Sequence, residues 1–288
     1  MVMVKNQSMM SRLFDVCNYA LLALLSLVTF LPFIYVIISS FSATTAVFPT
    51  HFTLDAYKYI FSTPTVGRSL LNSILITTLG SLFNLLLTSL MAYPLAKKDL
   101  LGRRLLLFMV TFTMLFGGGM IPTYFVVKAL GLIDSYAALI LPVAISAFNL
   151  IVMKNFFQSI PEELEEAARI DGCHDVGILF RIALPLSAPA LAAFGLFYAV
   201  EHWNNYFSAV LYLNDGAKWP VQVILRQIVI LATDSSLSGD PSALDGMTVI
   251  EQSVKMAVIV VATVPILLVY PFLQKHFTKG VMLGSVKG

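Results

Sequence analysis

Six stretches of this chain run for about 20 residues with scarcely a charge among them: 19–39, 70–92, 105–127, 136–156, 186–213 and 254–272. A helix of that length and character is what crosses the roughly 30 Å hydrocarbon core of a bilayer. The expected fold is therefore all-α and polytopic, a single transmembrane domain over residues 1–288 with six spans. Composition excludes the soluble alternative, because 58% of the residues are hydrophobic and 12% charged, against roughly 25% charged in ordinary soluble domains. The first run follows Lys5 and Arg12 as a signal peptide would, but it exceeds the usual 7–15 apolar residues and reads as a retained anchor.

Six spans put both termini on one side. That side takes twelve of the 18 Lys and Arg residues: Lys5, Arg12, Lys97, Lys98, Arg103, Arg104, Lys154, Arg169, Arg181, Lys275, Lys279 and Lys287. Lys58, Arg68, Lys128, Lys218, Arg226 and Lys255 fall on the other. Cytoplasmic loops carry the excess of basic residues, so the termini are expected in the cytoplasm of a bacterial inner membrane. The short loop AKKDLLGRR is the cleanest sign. Net charge is a mild +2 with no basic patch, which gives no reason to expect nucleic acid. Cys17 and Cys173 lie far apart and neither begins a CxxC, so each is expected to pack as a small apolar side chain.

The loop 157–185 falls on the cytoplasmic side and contains SIPEELEEAARIDGCHDVGILFRIALP from Ser159 onward, with five carboxylates from Glu162 to Asp171. Ser159 and Glu162 have the spacing of a capping box, and Pro161 suits a first helical turn. Glu162, Glu163, Glu165 and Glu166 complement the positive end of the helix dipole. Gly172 can take positive φ and end the helix, and a second short helix is expected through 176–182. Ala167 and Ala168 would let this helix–turn–helix approach another surface closely, so a docking element for a soluble partner is favoured. A solvated connection between spans is the alternative.

EAARIDG, then nine residues, then IALP resembles the EAA signature of permease subunits in bacterial ABC importers, with Glu166, Ala167, Ala168, Gly172, Ile182, Leu184 and Pro185 in register. The resemblance implies the type I importer permease fold, with this loop as the coupling helix that sits in a cleft of an ATPase subunit. Its ATPase-coupling residues would be Glu162, Glu163, Glu166, Ala167, Ala168, Asp171 and Gly172. Partners would be a second homologous permease, two ATPase subunits that bind ATP and magnesium, an extracytoplasmic sugar-binding protein, and membrane lipid. The long 214–252 loop and HWNNYF in the fifth span resemble the carbohydrate-uptake class, the maltose-permease G type in particular. FGGGMIPTYFVVKALGLIDSYAALILP is similar to a subgroup linked to acidic oligosaccharides, alginate and other uronate-containing sugars among them. Asn205 stands where many sugar permeases carry Glu after WN. The third external loop, through PVQVILRQIVILA, would contact the binding protein or else cap the bundle as an interfacial helix.

Polar groups inside spans are costly and point to pathways. Asn72, Asn149, Glu201, Trp203, Asn204, Asn205 and Tyr206 are the candidates for a substrate path, with His202 beside them; helix-to-helix glue is the alternative for the asparagines, and an interfacial aromatic belt for Trp203. Three consecutive glycines, Gly117–Gly119, either break the third span beside water or allow close helix packing. The chain has no G-x-x-x-x-G-K-[ST], so it is not expected to bind ATP by that route. His51, His174, His202 and His276 show no metal-ligand spacing. No cofactor or metal and no catalysis by the chain alone is expected. An ion-gradient-driven transporter or channel is the rival class; it would want paired charges within the spans, and only Glu201 and His202 come near.

Overall fold

The computed structural model describes residues 9–42, 51–235, 252–269 and 271. Lys5, Lys275, Lys279, Lys287, His276 and the 236–251 part of the loop expected to be external lie outside the described residues. Regular structure among the described residues is helical, apart from one antiparallel bridge between Ser42 and Phe52.

The helices are α1 (Met9–Ser40), α2 (Asp55–Ser62), α3 (Pro64–Ala96), α4 (Arg103–Leu115), α5 (Met120–Ala129), α6 (Ala137–Ile140), α7 (Ala147–Gln158), α8 (Glu162–Ile170), α9 (Asp175–Ile178), α10 (Leu184–Leu186), α11 (Ala188–Trp203), α12 (Phe207–Tyr212), α13 (Val221–Ser235) and α14 (Gln252–Val269). α1, α3 and α14 are each long and apolar enough to cross a membrane unaided. Three further pairs pass the same test only if each bent pair counts as one span, which gives up to six.

Chain contacts fall into two units, Met1–Thr63 with Ile228–Val261 and Pro64–Gln227 with Ala262–Gly288. In the first, α1 is a 32-residue helix whose most apolar window has a mean hydropathy of 2.6 and no buried residue. Apolar surface of that extent has no stable place in water, so it belongs against lipid or another chain. The end of α1 is fixed by polar ties: Ser40 Oγ pairs with Tyr57 OH at 2.8 Å, and Ser253 Oγ donates to Ser42 O at 2.7 Å.

The second unit is organised on α3, whose 33 residues span about 50 Å. Ser69, Ser73, Gly80, Ser81, Asn84, Thr88, Ser89 and Ala92 are buried along it. Small residues at such three- and four-residue spacings let neighbouring helices approach closely in a membrane, and α3 packs against both α11 and α7. The close approach is most severe at Gly80, where an added Cβ would lie 2.6 Å from His202 Nε2. Polar ties stitch the same seam. Asn84 Nδ2 donates to Val143 O at 3.2 Å and lies 3.1 Å from His202 Nε2. Tyr198 OH pairs with Thr88 Oγ1 at 2.8 Å and accepts from the Ser146 amide at 3.2 Å.

The spans are less regular than their hydropathy suggests. α4 and α5 meet at 117° across Phe116–Gly119. No heavy atom lies within 4 Å of a Cβ placed on Gly117, Gly118 or Gly119, and Gly119 has φ 82°. The glycines thus form a break, and they pack against nothing else among the described residues. Backbone freed from helical pairing at membrane depth is tolerated where it is covered by protein or faces water. Ala137–Val143 and Ala147–Gln158 meet at 57°, the second capped by Ser146 Oγ, which accepts from the Asn149 amide. The run expected as one span over 186–213 is divided into α11 and α12 at Asn204–Tyr206.

Candidate functional site

The acidic loop folds as a clipped lever at one end of α3. Pro161 is the N-cap of α8, with no side-chain cap, and its φ of −56° and ψ of 131° turn the chain into the helix. The capping box expected from Ser159 is not formed. The helix begins at Glu162, too late for Ser159 to be its cap, and Ser159 Oγ donates instead to Phe156 O at 2.7 Å, closing α7. Glu162, Glu163 and Glu165 occupy the first turn of α8 and complement its dipole. At the other end the Gly172 amide donates to Arg169 O at 3.0 Å and the Cys173 amide to Ala168 O at 2.9 Å. Those two bonds, with Gly172 at φ 84°, make a Schellman closure in which glycine supplies the left-handed residue.

One face of α8 is bound to its own chain. Ala168 belongs to the cluster that includes Tyr93 and Ala96 of α3, Met153 and Phe157 of α7, Ile178, Ala183, and Phe194 and Tyr198 of α11. Glu165 is 8% exposed and pairs with Lys97, just past the end of α3, while Lys97 Nζ lies 4.6 Å from the Tyr93 ring centroid. Gln158 Nε2 donates to Ala96 O at 3.0 Å. The other face stands free: Glu162, Glu163, Leu164, Glu166, Ala167 and Ile170 are exposed. The two alanines therefore divide, Ala167 outward and Ala168 into the core.

The charges follow that division. Lys98 and Glu162 pair at 3.2 Å in the open, a contact worth little in water. Arg169 pairs with Asp175 at 3.1 Å, and that hydrogen bond together with the carboxylate charge holds the guanidinium pKa above its ordinary value. Glu166 has no ion-pair partner among the described residues. A cleft of about 480 Å³ opens beside α8, lined by Lys97, Lys98, Gln158, Glu162 and Glu166. After Gly172 the chain runs through α9, a π-helical turn at Leu179–Ala183, and α10. This arm meets α11 at 85°, turning at Ser187, so it lies across the end of the span.

The other end of the unit is closed by hydrogen bonds. From Ala96, Asn72 is about 36 Å back along α3, and there the 212–221 segment is tied down. Asn72 Nδ2 donates to Ala217 O at 2.9 Å and Trp219 O at 3.2 Å, while its Oδ1 accepts from Tyr136 OH at 3.0 Å. Ser73 Oγ accepts from the Val221 amide at 2.8 Å. Asp134, at φ 62°, accepts from the amides of Asn214 and Asp215 and from Lys218 Nζ at 2.7 Å.

The candidates for a polar path separate accordingly. Asn72 is fully used in holding this loop. Trp203 is 4% exposed and its indole N–H donates to Ala262 O of α14 at 3.0 Å, so it ties two helices together and forms no belt. Asn149 is buried in the first turn of α7. Glu201 and Asn204 are exposed near the end of α11, and Asn205 and Tyr206 are partly so at the break. Asn204 Nδ2 donates to Val200 O, closing α11, and Asn205 Oδ1 accepts from the Ser208 amide, opening α12. Lys97, just past α3, and Glu165 of α8 form a tie that sequence did not single out. The KK of the short loop and the unbroken acidic run were the available signals, but nothing local pairs one with the other.

This largely apolar helical unit thus carries a clipped acidic helix at one end of α3 and a hydrogen-bonded loop at the other. Residues 3–283 match the family described as binding-protein-dependent transport system inner membrane component, and the chain belongs to that family. It is 59% identical over 288 residues to the polygalacturonan/rhamnogalacturonan transport system permease protein YtcP of Bacillus subtilis (strain 168), covering 97% of this chain and 100% of that one. Among solved structures it resembles a bacterial ABC transporter involved in the import of the acidic polysaccharide alginate. That likeness has a TM-score of 0.86 at 33% identity, over 95% of this chain and 100% of the other. A bacterial alginate transporter in complex with an alginate pentasaccharide-bound periplasmic protein shares the fold at a TM-score of 0.58 and 15% identity, over 91% of this chain and 93% of that one.

Proposed function

We propose that the chain is one permease half of an ATP-driven, binding-protein-dependent oligosaccharide importer whose cargo includes acidic sugars such as oligogalacturonates. The observation that carries this is the construction of α8: an exposed acidic and small-residue face whose back is fused to α3, α7 and α11. The acidic cargo is supported by the relatives, one a polygalacturonan/rhamnogalacturonan permease and one an alginate importer.

On this reading α8 faces the cytoplasm, as do both termini, and seats in one of two ATPase subunits that bind ATP and magnesium. A second, homologous permease completes the translocation path, and an extracytoplasmic binding protein delivers sugar to the opposite face. The chain performs no catalysis. Closure of the ATPases displaces α8 together with Glu165 and Ala168, and the ties to α3 and α11 carry that displacement into the spans. Glu201, Asn204, Asn205 and Tyr206 line the path in this scheme.

The test is gentle extraction of the tagged chain from its native membrane. An ATPase and a second permease should co-purify, and ATP hydrolysis should rise when binding protein loaded with trigalacturonate is added. Recovery of the chain alone, or hydrolysis indifferent to loaded binding protein, sinks the reading.

A further inference from the structure

Resting on that reading, we infer that Arg226 and Tyr206 form a contact for the acidic sugar at the external end of the path, the guanidinium taking a uronate carboxylate and the phenol ring the sugar face. The Arg226 guanidinium lies 4.7 Å from the centroid of the Tyr206 ring. Tyr206 sits at the break between α11 and α12, and Arg226 in the second turn of α13. Arg226 is exposed and has no carboxylate partner among the described residues.

The end of α11 that leads into Tyr206 is polar. Glu201 and Asn204 are exposed at the end of α11. A carboxylate on the surface of an apolar helix points to a water-filled path, because a lipid-facing one is costly. The remaining chemistry selects the ligand. Arg presents a planar fork of donors that matches a carboxylate in two parallel hydrogen bonds, while an aromatic face accepts the apolar side of a sugar ring. Stacking over Tyr206 holds the fork in place before a ligand arrives, so less freedom is lost on binding. Contacts of moderate strength at entry suit transport, since the cargo must also leave.

The experiment uses the assembled importer in proteoliposomes with its binding protein and trigalacturonate as probe. Arg226→Gln should lower uptake about tenfold, the worth of one charge-assisted bidentate contact. Arg226→Lys should recover part of that loss. Tyr206→Leu should fall comparably and Tyr206→Phe stay near wild type. ATP hydrolysis stimulated by loaded binding protein should stay within about twofold in the Arg226 variants, since coupling through α8 is untouched. Uptake unchanged in Arg226→Gln overturns the inference, and so does uptake falling in step with stimulated ATP hydrolysis, which would assign Arg226 to docking or folding. If the wild-type importer moves maltotriose but not trigalacturonate, the acidic-cargo reading falls and this contact with it. If it moves trigalacturonate and the variants do too, only the contact falls.

Discussion

Replacing Gly172 separates two explanations for why α8 ends as it does. Gly172 holds φ 84°, and a Cβ built there meets nothing within 4 Å of the chain itself. Any cost inside this subunit is therefore conformational. A non-glycine L-residue in the left-handed region costs about 1–2 kcal/mol, less for Asn, whose side chain bonds locally. If the chain leaves that region, it gives up the bonds from Gly172 to Arg169 and from Cys173 to Ala168, at about 1 kcal/mol each. Either route caps the penalty near 2 kcal/mol. Apparent affinity for a partner that needs the clipped form falls by the fraction clipped, so Val should weaken ATPase assembly by up to about thirtyfold, Ala about tenfold and Asn about threefold. The assay is titration of the purified permease pair with its ATPase, followed by transport-linked ATP hydrolysis. Backbone strain predicts the order Asn, Ala, Val from mildest to most severe. Crowding by a docked ATPase predicts Ala milder than Asn, because Ala is smaller. Ala outperforming Asn, or Val behaving as wild type, would refute the strain argument.

The Lys97–Glu165 pair should be costly to break and partly restored by exchange. The side chains are 25% and 11% exposed, so removing one partner by Lys97→Met or Glu165→Gln should cost about 3 kcal/mol, the lower end for buried pairs. Melting of the purified subunit in detergent would report it, and the double exchange Lys97→Glu with Glu165→Lys should recover part of the loss. At the α3–α11 seam, Gly80→Ala drives a methyl into the His202 ring and should cost about 1–3 kcal/mol. Adding His202→Ala should relieve it. Gly67→Ala, with nothing within 4 Å, should instead stabilise α3 by up to about 1 kcal/mol; equal melting of Gly67→Ala and Gly80→Ala would overturn the packing account. The Asp134–Lys218 tie should respond to acid. Lys218, then the Asp215 amide, hold the Asp134 pKa below its ordinary 3.8, so its contribution is complete above that value and is lost as pH falls through the lowered one. Lys218 is held above its ordinary 10.5, chiefly by its hydrogen bond to Asp134, and its contribution fails only as pH rises past that. In a Trp203→Phe background, emission from Trp219 should stay flat across neutral pH and shift only at the extremes. Asp134→Asn should shift it at neutral pH.

The existence of the spans was legible because lipid leaves an apolar run one regular option. So were the stop at Gly172, where a single residue type fits the backbone, and the helix in PVQVILRQIVILA. The breaks were legible in part. Gly117–Gly119 posed the alternatives of a break or close packing, and the helix interruption and the 117° bend at Phe116–Gly119 show the break. The bend before Ala147 has no glycine; Pro142 and the Ser146 cap mark it weakly. Ser159 misled because capping-box spacing is local, while the start of α8 is set by Pro161. Trp203 and Asn72 were unreadable for another reason. A polar group in a span is costly wherever it points, and whether a helix or a ligand satisfies it depends on neighbours distant in sequence, here Ala262 and the 217–219 backbone.

The two kinds of helix contact in the second unit suit opposite tasks. α3, α7 and α11 are joined by directional ties, Asn84 with His202 and Val143, Tyr198 with Thr88 and Ser146, and by a close approach at Gly80 that admits no side chain. Such a seam has few alternative arrangements, so displacement of one member displaces all three as a block. α8 is fastened to that block at Ala168 and Glu165. α4 and α5 contrast with it. Their junction is three glycines with no neighbour in reach, and the outer face of α4 exposes Phe108, Phe112 and Phe116. On the proposed reading the work of ATP closure enters at α8, passes undiminished through the α3–α7–α11 block to the Asn204–Tyr206 break, and is accommodated at Phe116–Gly119, where the backbone can turn without breaking a packed contact.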